Sequence, residues 1–148
     1  MQTEKMSEFN MYSKKVASLI AKSGWYEARV SKGWLQSILE IKFSVPSSHA
    51  CNFIREFHGL TIEPATLGVD FHPGNIQIDP QLAFGEDDRF AYFSKKVNDD
   101  IFPVGEAFGG HQFVGIGSAG YFYVFMDDYI VTKKNENDLF EHILLGLM

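Results

Sequence analysis

Six consecutive residues, Tyr121-Phe122-Tyr123-Val124-Phe125-Met126, are apolar or aromatic without interruption. A strand turns alternate side chains to opposite faces, so such a run needs apolar cover on both sides of its sheet. This predicts a central strand enclosed by helices. The chain can supply the cover, since 45% of its 148 residues are hydrophobic and 14 of them are Phe. At this length folding buries roughly 68–70% of the unfolded surface, enough for one core, and residues 1–148 are expected to form a single domain.

Helical periodicity accounts for most of the first sixty residues. Phe9, Tyr12, Val16, Leu19 and Ile20 recur at helical spacing across Ser7–Ser23, with Gly24 as the stop. Ser31 or Gly33 opens a second helix with Trp34, Leu35, Ile38, Leu39 and Ile41 on its apolar side, ending before Pro46. Ser47 or Ser48 caps a third, in which Ala50, Phe53, Ile54 and Phe57 share a face and Gly59 ends the run.

The pattern then shortens to strand length. Leu60–Glu63, Gly68–His72 and Asn75–Ile78 read as strands, the last two joined as a hairpin through Pro73-Gly74. Asp87 and Asp88 suit the start of an inserted helix carrying Phe90, Phe93 and Val97, and Lys95 and Lys96 suit its end. Further strands are expected at Ile101–Val104, His111–Gly117, Tyr121–Met126 and Tyr129–Thr132, the last two turning at Asp127-Asp128. Asn135 or Asn137 then caps a final helix with Leu139, Phe140, Ile143, Leu144 and Leu147 at helical spacing. The predicted class is α+β, a mainly antiparallel sheet packed with N-terminal helices, one inserted helix and a C-terminal helix.

Charge and cysteine content narrow the function classes. With 13 basic and 19 acidic side chains the net charge is −6, which disfavours binding nucleic acid through its phosphates. Cys51 is the only cysteine, so neither an internal disulfide nor a cysteine zinc cluster is available, and a small hydrophobic role is expected for it. No stretch reaches the roughly 18–20 apolar residues of a membrane span. A cytoplasmic location is expected.

The motifs that suggest chemistry do not assemble. Gly115-Ile116-Gly117-Ser118-Ala119-Gly120 matches a dinucleotide-binding pattern, but that mechanism needs a helix to start at the glycines. The β-prone run that follows predicts a hairpin instead. Asp70 and His72 share a strand face, yet a third metal ligand, Asp79 or His111, would have to come from elsewhere. No catalytic residue, cofactor or metal is expected. What remains is a set of acidic residues, Asp87, Asp88, Asp99, Asp100, Glu106, Asp127 and Asp128. They serve either as ordinary caps and turns or as a negative field that steers a basic partner.

The order of several short motifs resembles the SUKH superfamily, in particular its third subfamily of bacterial immunity proteins. The likeness is carried by Ser23-Gly24-Trp25, Arg55-Glu56-Phe57-His58-Gly59-Leu60, Ile78-Asp79-Pro80, Pro103-Val104-Gly105-Glu106 and the aromatic strand into Asp127-Asp128. The basic residue that often follows the Gly-Trp step in that family is represented by Arg29, and His58 stands where a small residue is usual. The resemblance implies a non-enzymatic antitoxin that binds the C-terminal domain of a cognate toxin. Such toxins are often nucleases with basic clefts, which an acidic inhibitor complements. The alternatives are a regulatory adaptor that binds a host protein and, further off, a small enzyme using a metal at Asp70, His72 and His111 or a nucleotide at Gly115–Gly120.

Overall fold

The computed structural model describes residues 11–41, 43–65 and 72–147. The elements in chain order are α1 (Lys14–Lys22), α2 (Trp34–Leu39), α3 (Ser48–Phe57), β1 (Thr61–Ile62), β2 (Ile76–Ile78), a 3-10 turn (Pro80–Ala83), α4 (Asp87–Val97), β3 (Phe102–Ala107), β4 (Gln112–Ile116), β5 (Phe122–Met126), β6 (Tyr129–Lys133) and α5 (Glu136–Leu144). The strands form one six-stranded sheet in the order β1-β2-β3-β4-β5-β6, every neighbour antiparallel. The α+β class holds.

Strand β5 does what its sequence demands. Phe122 and Val124 enter a large core on one face of the sheet, where α1, α3 and α5 contribute Val16, Ile20, Phe53, Phe57, Phe140 and Ile143. Tyr123 and Phe125 enter a second core on the other face, where α4 contributes Phe90 and Phe93. The covered stretch is shorter than the apolar run, because Tyr121 is 43% exposed. The strand is internal but lies next to the edge strand β6 rather than at the middle of the sheet.

The register of the sheet depends on close backbone approach at a few glycines. A Cβ on Gly105 would come within 2.0 Å of the Gln77 carbonyl oxygen, and one on Gly117 within 1.9 Å of the Asp99 carboxylate. Pro103 cannot donate to the ladder, and the β3–β4 register shifts between Pro103 and Gly105. The glycine pattern at 115–120 is the predicted hairpin, with the Gly117 N–H donating to the Tyr121 carbonyl across the turn. Asp127, at φ +50, turns β5 into β6.

Several boundaries differ from expectation. Ser13 caps α1, its hydroxyl accepting from the Val16 N–H, so the helix begins there and not at Ser7; residues 1–10 lie outside the described residues. In α2 only Ile38 of the predicted apolar side is buried, while Leu35 and Leu39 are 51% and 64% exposed. A helix of two turns presents too narrow a face to the core to cover both. The expected hairpin between Gly68–His72 and Asn75–Ile78 is not the pairing of β2. Both of its edges are taken, by β1 and β3, and residues 66–71 lie outside the described residues. Asp87 and Asp88 occupy the first turn of α4 and Glu86 is the N-cap residue. Of the two candidates for capping α5, Asn135 accepts from the Asp138 N–H, and Asn137 instead accepts from the Ser13 N–H, tying α1 to α5.

Phe53 stacks on Phe57 at 4.8 Å and meets Phe122 edge-on at 5.1 Å. Phe53→Ala is expected to cost roughly 3–5 kcal/mol, and Leu35→Ala, on the exposed side of α2, under about 0.5 kcal/mol. Urea denaturation of the two variants measures both.

Candidate functional site

Three of the short motifs that carry the resemblance meet around the C-terminus of α3. A helix ends with carbonyls that have no partner inside it, and here each is satisfied from outside or by the turn that follows. The Ile54 carbonyl accepts from the His58 N–H, and the Phe57 carbonyl from the Leu60 N–H. The Arg55 carbonyl accepts from the Ser31 N–H at 2.8 Å. Arg29 closes the remainder, donating from Nη1 to the Glu56 carbonyl and from Nη2 to the His58 carbonyl. A cation at a helix C-terminus also opposes the negative end of the helix dipole. Ala28, at φ +64, turns the chain immediately before Arg29.

Two further residues lock this junction to the sheet. His58 Nδ1 lies 2.8 Å from the Ser31 hydroxyl, and its Nε2 lies 3.7 Å from Asp79. Asp79 also caps the 3-10 turn by accepting from the Gln81 N–H, with Pro80 as the first residue of that turn. The Gly59 N–H donates to the Ile78 carbonyl at 2.8 Å. Ser23-Gly24-Trp25, Arg55–Leu60 and Ile78-Asp79-Pro80 are therefore parts of one structure.

Beside the junction lies a pocket of about 510 Å³ lined by Tyr12, Trp25, Arg29, Arg55, Glu56 and Glu136, among others. The Trp25 indole N–H donates to Glu56 Oε2 at 2.7 Å, and the Tyr12 hydroxyl donates to Glu136 Oε2 at 2.5 Å. Trp25 stacks on Phe57 and meets Tyr12 edge-on, each at 6.3 Å between centroids. Burial pushes the Glu136 carboxyl above its ordinary range; the Tyr12 hydrogen bond opposes that shift, and the charge of Glu56 adds to it. Burial likewise raises Glu56, against the Trp25 hydrogen bond and the nearby charges of Arg55 and Arg29.

The acidic residues singled out by sequence are distributed around α4. Asp87 and Asp88 are exposed at its N-terminal end. Glu106 is half-buried on β3, its carboxyl raised by burial and by the charge of Glu86. Asp99 follows the C-terminal end of α4 and is bound internally. It accepts from the Ser118 N–H and hydroxyl and from the Tyr123 hydroxyl at 2.7–2.9 Å. Burial works against its charge, but these donors prevail and hold its carboxyl below the usual range. Asp100 is exposed and accepts from the Ser44 hydroxyl. Asp127 and Asp128 are exposed at the β5–β6 turn, where Lys96 donates to the Asp128 carbonyl.

Comparison with known proteins adds one finding. The family model described as SUKH-3 immunity protein matches residues 12–145. The chain belongs to the SUKH-3 immunity protein family. No curated protein and no solved structure matches it. The match begins at Tyr12, on the wall of the pocket, and runs through α5, so this SUKH-3 chain carries the α3 junction, the acidic residues and every pocket residue but Met11 within the family's span.

Sequence reasoning missed the central parts of this site. Trp25 entered the sequence reading only through the Ser23-Gly24-Trp25 step, yet it stacks on Phe57 and its indole N–H holds Glu56. Glu56 and His58 stood within the Arg55–Leu60 motif without an assigned role, and Glu136 carried no recognised motif. The available signal was the recurrence of Arg29, His58 and Asp79 beside helix ends. Cys51 is half-buried against the large core, as expected of a small hydrophobe. His72 and His111 are exposed, and Asp70 lies outside the described residues. Among the described residues no three His, Cys, Asp or Glu side chains gather as a group that could hold a metal, and no helix is long and apolar enough to cross a membrane.

Two outcomes follow for this SUKH-3 chain. Arg29→Ala should cost about 2 kcal/mol in urea denaturation by orphaning two helix-end carbonyls, with Arg29→Lys recovering little because one ammonium cannot reproduce the fork. The raised carboxyls of Glu56 and Glu136 mean that the folded protein keeps protons which the unfolded chain releases near the ordinary value of 4.5. Stability contributed by these groups is therefore present below that value and lost as pH rises through their folded-state values. Glu136→Gln should flatten the fall in stability measured as pH rises above about 4.5. An unchanged pH slope would contradict the assignment.

Proposed function

We propose that this protein binds the toxic C-terminal domain encoded beside it and neutralises it stoichiometrically, by contact and without chemistry of its own. The observation that carries the reading is the family match across residues 12–145. The toxin domain is read as a basic nuclease. A nuclease cleft must hold phosphates and is therefore positive, and a chain with a net charge of −6 is complementary to it.

The surface offered to that cleft is read as the two ends of α4. Asp87 and Asp88 stand at one end, Asp100 with Asp127 and Asp128 at the other, all exposed. Asp99 and Glu106 support this surface from half-buried positions, Asp99 by holding the β4–β5 hairpin. Exposed charges at an interface mainly accelerate encounter and act through a field that salt screens over about 10 Å at 0.1 M.

Co-expression with the adjacent toxin gene tests the function directly. Cells should survive, and the two proteins should co-elute in size exclusion; killing that proceeds equally with and without this protein overturns the reading. For the surface, Asp127→Lys combined with Asp128→Lys should slow association at low salt and leave the rate near wild type at high salt. Association rates that do not change across an ionic-strength series would rule out that role for the doublet.

A further inference from the structure

The pocket beside α3 contains more negative charge than the fold uses. Glu27, Glu56 and Glu136 line it together with Arg29 and Arg55. Arg29 is committed to the carbonyls of Glu56 and His58, and Arg55 is exposed. Each of the two inner carboxylates receives one side-chain donor, on Oε2, from Trp25 or Tyr12. The second oxygen of each has no hydrogen-bond donor among the described residues. These second oxygens are open to solvent, since among the described residues Gln112 Oε1 alone is buried without a hydrogen-bond partner, and a donor entering the pocket would replace that solvent.

The walls between them are the rings of Trp25 and Tyr12, set edge to face at 79°. Carboxylates on an aromatic wall suit a cation with an apolar stem. The stem packs on the rings, the head gains charge-assisted hydrogen bonds from the free oxygens, and the ring faces add a cation–π contribution. The volume of about 510 Å³ is in the range of small-ligand pockets, roughly 300–1,000 Å³. An anion would meet three carboxylates against two guanidinium groups, one of them already committed to helix-end carbonyls, and a neutral apolar group would displace solvent from the carboxylates without replacing its hydrogen bonds.

We infer that this pocket is a socket for one lysine or arginine side chain of the protein partner, with Glu56 and Glu136 as its acceptors and Trp25 and Tyr12 as its walls. The inference rests on the reading of a basic partner given above, and it places a discrete anchor for that partner apart from the exposed acidic residues around α4. An anchor of this kind, a desolvated charged group in an aromatic-lined pocket, slows dissociation, whereas exposed charges govern encounter.

The test uses the full chain and a small cation, with no toxin present. Agmatine, a four-carbon stem with a guanidinium at one end and an ammonium at the other, is titrated while the Trp25 indole N–H resonance is followed by NMR, with butylurea as the neutral control and sodium chloride matching ionic strength. The expected result is a saturable shift with agmatine and none with butylurea or salt alone. Binding should weaken about tenfold or more in Glu56→Gln and in Glu136→Gln, and remain unchanged when Asp127 and Asp128 are both replaced by Lys. No saturable shift, an equal response to butylurea, or full affinity in both glutamine variants overturns the socket. If a glutamine variant fails to fold, the comparison of agmatine with butylurea on the unaltered protein still decides. Agmatine binding by a protein that fails to protect cells would uphold the socket and remove the toxin reading, and the reverse pair of results would do the opposite.

Discussion

The structure depends on how the C-terminus of α3 is closed. Five consecutive carbonyls, from Ile54 to His58, find donors, and three of those donors come from the segment Arg29–Ser31. The helix contributes Phe53, Ile54 and Phe57 to the large core, so its end cannot turn freely into water. With Arg29 in place, the chain can leave the helix at Gly59, at φ +87, and enter β1 already bonded to β2 through Ile78. The loop between α1 and α2, the helix end and the first two strands are thereby set by one guanidinium and one helix dipole. The same closure brings Trp25, Arg55 and Glu56 around the pocket.

Around that junction the sheet separates two tasks. Its larger core, under α1, α3 and α5, carries most of the buried aromatic residues and supports the pocket. Its smaller core holds α4 through Phe90 and Phe93 against Phe125. The acidic residues follow α4, at its first turn and beyond its last. On the proposed reading of a basic partner, the two surfaces would divide encounter from retention, because long-range charge acts on encounter and buried contacts act on release.

Much of the architecture was legible in the sequence, for identifiable reasons. The apolar run at Tyr121–Met126 required two covered faces, and Ala50, Phe53, Ile54 and Phe57 at helical spacing defined the buried side of α3. What could not be read was pairing over distance. The partners of β2 are β1, with Ile62 fourteen residues upstream of Ile76, and β3, with Ala107 opposite Ile76, whereas the Pro73-Gly74 dipeptide pointed to a nearer strand. Leu35 and Leu39 looked like core because periodicity does not reveal how much of a short helix the core can reach. The site was harder still. Glu56 and Glu136 are eighty positions apart in sequence, and only the packing of α5 beside α1, through Asn137 and Ser13, brings Tyr12 and Glu136 together. The order of the short motifs pointed to the family without showing that those motifs touch.

The central claim, neutralisation by one-to-one contact, is tested most directly by titrating this protein into a fixed amount of the purified toxin domain and following the toxin's catalytic rate. The account predicts a linear fall that reaches zero at one equivalent and stays there. Loss of activity at a small fraction of an equivalent, or activity that persists beyond several equivalents, would contradict it.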